Sequence, residues 1–141
     1  MILFAIDPGV NGACCIFMDR KLIEVFDMPT MIDGKKNKKQ INSAYLANQI
    51  KKNIEDIDKN EINVIIEKVS AMPGQGVTSM FNFGQSFGVI KGIFSTLEIP
   101  IHYVRPAKWK KHFNLIGSEK DASRTKAIEL FPNYSLSLIH I

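Results

Sequence analysis

The chain has 141 residues and 45% hydrophobic content, enough to bury one core and too short for two sizeable domains. Its 18 Lys and Arg against 14 Asp and Glu give a net charge of +4, only mildly basic but unevenly spread. The apolar-looking stretch from Ser79 to Leu97 carries Asn82, Gln85, Ser86 and Lys91, which argues against a membrane span, and the N-terminal apolar run breaks at Asp7, so no cleavable leader is expected.

In chain order, Ile2–Ile6 reads as a first strand that ends in Asp7 and the turn Pro8-Gly9-Val10-Asn11-Gly12. Ala13–Met18 and Leu22–Phe26, joined by Asp19-Arg20-Lys21, predict an antiparallel meander. Cys14 and Cys15 are adjacent, too close for a relaxed disulfide, and read as reduced thiols on opposite faces of a strand in a cytosolic protein. Met28 to Gln40 is a loop rich in Pro, Gly and Lys. Asn42 or Ser43 caps a helix whose apolar positions Leu46, Ala47, Ile50, Ile54 and Ile57 share one face.

Ile62–Ile66 is a fourth strand, ending in Glu67 and parallel to the first because a helix connects them. After the loop Met72-Pro73-Gly74-Gln75-Gly76, a helix runs from about Thr78 into Leu97, and Ile101–Val104 makes a fifth, parallel strand. Pro106 opens a short helix through Trp109, and Ser118 with Asp121 starts a last one that Pro132 stops after Phe131. The order β-β-β-α-β-α-β-α-α predicts an α/β fold. Its five-stranded mixed sheet, three antiparallel strands and then two parallel, carries helices on both faces in the ribonuclease H-like architecture.

Continuous apolar runs read as central strands buried on both faces, and chemistry gathers at their carboxyl ends. Asp7 and Glu67 would meet at one such edge. Either alone would pass for a surface acid or a turn cap, but two acids that repel and lose hydration call for a cation, and Mg²⁺ takes one or two protein carboxylates plus waters and phosphate oxygens. The clusters Lys35, Lys36, Lys38, Lys39 and Arg105, Lys108, Lys110, Lys111 form an electrostatic footprint for nucleic acid, although each by itself would pass for a solvated loop. Lys108, Lys110, Lys111, Lys120 and Arg124 follow the fifth strand and are expected to hold DNA phosphates without reading sequence.

Gly84, Gly88 and Gly92 share one helix face, where close approach to another element would offset their helix cost. Phe81, Phe83, Phe87 and Phe94 are core by default, with the Phe81-Asn82-Phe83 region the best placed for base stacking.

With these residues in view, the chain resembles the RuvC-like Holliday junction resolvases, especially the compact versions found in phages. The resemblance covers Met1 to Pro132. It rests on Ile6-Asp7-Pro8-Gly9, Ile65-Ile66-Glu67-Lys68-Val69, Met72-Pro73-Gly74-Gln75-Gly76 and Phe83-Gly84-Gln85-Ser86-Phe87-Gly88, then on Val104-Arg105-Pro106-Ala107-Lys108-Trp109-Lys110-Lys111, Lys120-Asp121-Ala122-Ser123-Arg124 and Leu130-Phe131-Pro132.

The resemblance implies a homodimeric, Mg²⁺- or Mn²⁺-dependent endonuclease that nicks opposing strands of four-way or otherwise branched DNA, in the cytoplasm of a bacterial or phage-infected cell. Asp7 and Glu67 match the family's first two metal-binding acids. Lys120, and less closely Lys108, resemble its basic residues near the scissile phosphate, and Gln85 resembles a residue facing the DNA cleft.

The family takes two further carboxylates from a final helix, which would follow Pro132, whereas the chain stops at Ile141. The expectation is a nuclease domain over 1–134 lacking its last helix and a non-native tail over 135–141, with DNA binding retained and cleavage weak or absent. Three other readings stand beside it: a non-catalytic DNA-binding module; an actin-like or sugar-kinase-type ATP-binding domain, which needs a second domain that this length does not supply; and, closer, another ribonuclease H-like nuclease acting on RNA–DNA hybrids or other branched DNA.

Overall fold

The computed structural model describes residues 1–34, 38–119, 121–134 and 136. The elements run β1 (Ile2–Ile6), β2 (Ala13–Met18), β3 (Lys21–Asp27), β4 (Thr30–Ile32), β5 (Lys39–Ile41), α1 (Ser43–Ile54), β6 (Ile62–Glu67), α2 (Val77–Thr96), β7 (Ile101–Val104), α3 (Pro106–His112) and α4 (Ala122–Leu130). The main sheet has the order β3-β2-β1-β6-β7. β1, β2 and β3 pair antiparallel, whereas β6 and β7 add in parallel beside β1. The expected five-stranded mixed sheet is what forms.

Local chemistry sets the connections. Asp19 and Arg20 both take positive φ, 47° and 67°, as a two-residue hairpin between twisted strands requires. The terminal ammonium of Met1 pairs with Asp19 Oδ1 at 3.0 Å. The Asn42 side chain accepts the Tyr45 amide at 3.1 Å and caps α1 as expected. Pro106 begins α3, where its missing N–H costs nothing.

The core lies between the sheet and the helices α1 and α2. Ile2, Phe4, Ile6, Ile62, Val64 and Ile66 alternate inward and meet Leu46, Ile50, Ile90 and Phe94. Phe4 and Phe94 are both fully buried, their ring centroids 5.6 Å apart. Phe94→Ala is therefore expected to cost about 3–5 kcal/mol, a truncated ring plus the cavity it leaves. Urea unfolding checks this, and a loss below about 1 kcal/mol would contradict the placement.

Three expectations need correction. First, the central strands are fully covered on one face only: Leu3, Ala5, Asn63 and Ile65 on the other face are half-buried. That second face is closed over the outer meander by the C-terminal segment, where Phe131 meets Phe17 edge-on at 5.8 Å and the Tyr134 hydroxyl donates to the Leu22 carbonyl. Second, the stretch Met28 to Gln40 is not all loop. Its ends pair as an antiparallel ribbon with Thr30 opposite Ile41, and burial of Ile41 anchors that ribbon to the core. Third, the last helix begins at Ala122, after Asp121, and Ser118 does not cap it; Gly117 at φ 76° still turns the chain just before it.

The glycine stripe also departs from expectation. A Cβ at Gly84, Gly88 or Gly92 would meet nothing within 4 Å, so no close approach offsets their helix cost. Cys14 is buried and Cys15 half-buried, both free, and burial pushes both thiols up, which keeps them un-ionised and inert. No helix among the described residues is long and apolar enough to cross a membrane. The tail expected over 135–141 lies outside the described residues apart from Leu136.

Candidate metal centre and nucleic-acid face

Strand register brings the two acids together. In the parallel pair of β1 and β6, Ile6 stands opposite Ile66, so Asp7 and Glu67 follow side by side at the carboxyl edge. Neighbouring strands are ~4.8 Å apart, which is within reach of a shared cation. Beyond Asp7 the chain reverses tightly: the Gly9 amide donates to the Asp7 carbonyl at 3.1 Å, and the Gly12 amide to the Gly9 carbonyl at 3.0 Å. At Gly12 the space is closed, since a Cβ there would lie 2.1 Å from the Asp7 carbonyl oxygen. The same turn that needs glycine therefore fixes the backbone of Asp7.

The electrostatics match this crowding. Burial, and then the negative charge of Glu67, push the Asp7 carboxyl up to about 6. Glu67 Oε1 accepts a hydrogen bond from the Trp109 indole Nε1 at 2.9 Å. Two hard oxygen donors, one raised by lost hydration and by its neighbour, fit Mg²⁺ or Mn²⁺ chemically and would be relieved by either. Among the described residues, no group of three Asp, Glu, His or Cys side chains could hold a metal, so this pair makes a partial ligand set.

A cleft of about 490 Å³ opens beside Asp7, walled by the Gly9–Gly12 turn, by Lys38 and Lys39, and by Ser79, Asn82 and Phe83 of α2. The four phenylalanines of α2 separate by role. Phe94 is core, Phe83 lies against Gly9, and Phe87 pairs with Tyr103 at 5.9 Å beneath Lys91. Phe81 is 72% exposed and free to meet a flat ligand.

Gln85 is exposed on α2, beside a smaller hollow shared with Lys38, Lys39 and Asn82. Lys108 and Lys111 are exposed on α3, and Lys110 Nζ sits 5.5 Å from the centroid of the Trp109 ring. Because β7 is the neighbour of β6, α3 starts from the same sheet edge that carries Glu67. Arg124 on α4 is half-buried, and its Nε is buried without a hydrogen-bond partner among the described residues. Lys120 lies outside the described residues.

Two features escaped the sequence. Lys38 and Lys39 were legible as charge but not as cleft wall, because the β4–β5 ribbon that places them was read as loop. Trp109 was noted as part of a short helix and of a resemblance motif, with no role at the acids. Its signal was available: it is the single tryptophan, one helical turn after the strand beside Glu67.

No protein-family model matches the chain, and no curated protein matches it. Among solved structures it is similar to RuvC of T. thermophilus in complex with a Holliday junction substrate. The identity is 14% and the TM-score 0.54, over 79% of this chain and 68% of that one. A second structure, described as Thermus thermophilus RuvC, matches over the same shares at 14% identity with a TM-score of 0.39. The fold is RuvC-like, with the mixed-sheet architecture expected from the order of elements.

Proposed function

We propose that the chain is the core of a metal-dependent endodeoxyribonuclease that engages branched DNA, four-way junctions above all. The observation that carries this reading is the strand register, Ile6 opposite Ile66, that sets Asp7 beside Glu67 at an edge that also bears α3 and the lysine-walled cleft. A fold similar to one seen with a Holliday junction substrate supports it.

In this reading Asp7 and Glu67 hold Mg²⁺ or Mn²⁺. Such an ion supplies an activated water and stabilises charge on a phosphodiester. Lys108, Lys110, Lys111, Lys120 and Arg124 would hold the sugar-phosphate backbone by charge, and Gln85 would face the DNA from the cleft side. Exposed Phe81 offers a stacking platform for a base unpaired at the branch point. A homodimer would present two such edges to a substrate that is itself two-fold symmetric.

With two acids in place, the domain is expected to bind junctions well and to cleave them slowly or not at all. Fluorescence anisotropy on a four-way junction and on linear duplex of the same sequence, in metal-free buffer and in Mn²⁺, tests this. Preference for the junction is expected, and equal affinity for the two would contradict the reading. Rapid Mg²⁺-dependent nicking would contradict the expectation of weak cleavage.

Lys111→Gln should weaken binding uniformly across sequences and reduce the slope of log affinity against log salt by about 1, since one phosphate contact is lost. An unchanged slope would remove Lys111 from the interface.

A further inference from the structure

Trp109 is the chain's one tryptophan and sits on a short helix, 42 residues beyond the acid it touches. Its indole is a donor only, and it donates to Glu67 Oε1 at 2.9 Å. Lys110 Nζ lies 5.5 Å from the centroid of the same ring, at cation–π distance. The ring is half-buried, so it has enough support to hold a fixed direction.

A glutamate at a strand end loses considerable rotamer entropy on being held in one pose. A fixed indole N–H lowers that cost at the moment of ligation by restraining the carboxylate beforehand. It also occupies one oxygen and leaves the other for a cation. Carboxylates that bind metals are commonly oriented by such outer hydrogen bonds.

We propose that Trp109 is a positioning residue: its indole N–H holds one oxygen of Glu67, so that the other is presented as a ligand to the divalent ion shared with Asp7. The proposal rests on the metal-binding reading above. It also gives α3 a second task. The helix that carries Lys108 and Lys111 to the phosphate is tied, through its tryptophan, to the acid that holds the ion, so phosphate contacts and metal ligand keep one register.

Calorimetric titration of Mn²⁺ into the wild-type chain and into Trp109→Phe, without DNA, tests this. The variant keeps a six-membered aromatic ring and loses the N–H together with the rest of the five-membered ring. It should bind Mn²⁺ about 10-fold more weakly, while remaining folded in EDTA and keeping the metal-free junction affinity of the wild type. Because Trp109 is the sole indole, wild-type tryptophan emission should also change saturably with Mn²⁺, at the concentrations where calorimetry detects binding.

Equal Mn²⁺ affinity in Trp109→Phe overturns the positioning role and leaves the metal centre standing. If the variant fails to fold, the emission measurement decides: calorimetric binding with no change in wild-type emission overturns the role. Absence of any Mn²⁺ binding by the wild type overturns the metal reading, and the positioning role with it.

Discussion

Asp7→Asn is expected to abolish divalent-cation binding and, in EDTA at alkaline pH, to make the protein more stable. Burial and Glu67 raise the folded-state pKa of Asp7 to about 6, against ~3.9 for an unfolded aspartate. The unfolded chain therefore gives up its proton first as pH rises, and ionisation favours unfolding. The penalty is absent below about pH 4, grows between pH 4 and 6, and is complete above that window.

Two pKa units set an upper bound of about 3 kcal/mol, which partial solvent access reduces to about 1–2 kcal/mol. Asparagine has nearly the same shape and no charge, so it escapes the penalty. Urea unfolding in EDTA should show the two proteins equal near pH 4 and the variant ahead at pH 8. Added Mn²⁺ should stabilise the wild type alone, because only its folded form binds the ion. A variant less stable than the wild type at pH 8 would mean that the carboxylate is held by favourable contacts and is not strained by its neighbour.

Gly12→Ala is expected to have the largest structural effect of any methyl added at a glycine of this chain. The new Cβ would lie 2.1 Å from the Asp7 carbonyl oxygen, and 2.9 Å from both the Asp7 carbonyl carbon and the Gly9 nitrogen. All three are backbone atoms, so no side chain can swing aside, and the turn must open. That turn carries Asp7 on one side and anchors the Met28 amide through the Gly12 carbonyl at 2.9 Å on the other.

A loss of about 3 kcal/mol or more is expected, at the upper end of overpacking effects, together with loss of Mn²⁺ binding in whatever remains folded. Gly84→Ala is the internal control. The same methyl enters open space in a helix interior and should stabilise by up to about 1 kcal/mol. Chemical denaturation of both variants checks the contrast, and comparable stability of Gly12→Ala and wild type would contradict the closed geometry of the turn.

The strands that matter most were legible because each apolar run, Ile2–Ile6 and Ile62–Ile66, stops at an acid, and a helical connection makes them parallel. Adjacency of Asp7 and Glu67 followed from those two facts. The β4–β5 ribbon was not legible, since three-residue strands inside a Lys- and Gly-rich stretch carry too little period to register. The glycines of α2 misled for a related reason: spacing shows which residues share a face, but not whether that face meets protein or solvent. The bond from Trp109 to Glu67 depends on β6 pairing with β7, a long-range fact that no local window contains.

One measurement bears most directly on the pairing of the two carboxylates: anomalous diffraction from crystals of the wild-type chain grown with Mn²⁺. A peak within ligand distance of both Asp7 and Glu67, lost in Asp7→Asn crystals grown the same way, is the expected result. Manganese bound elsewhere, or no anomalous peak at saturating Mn²⁺, would contradict it.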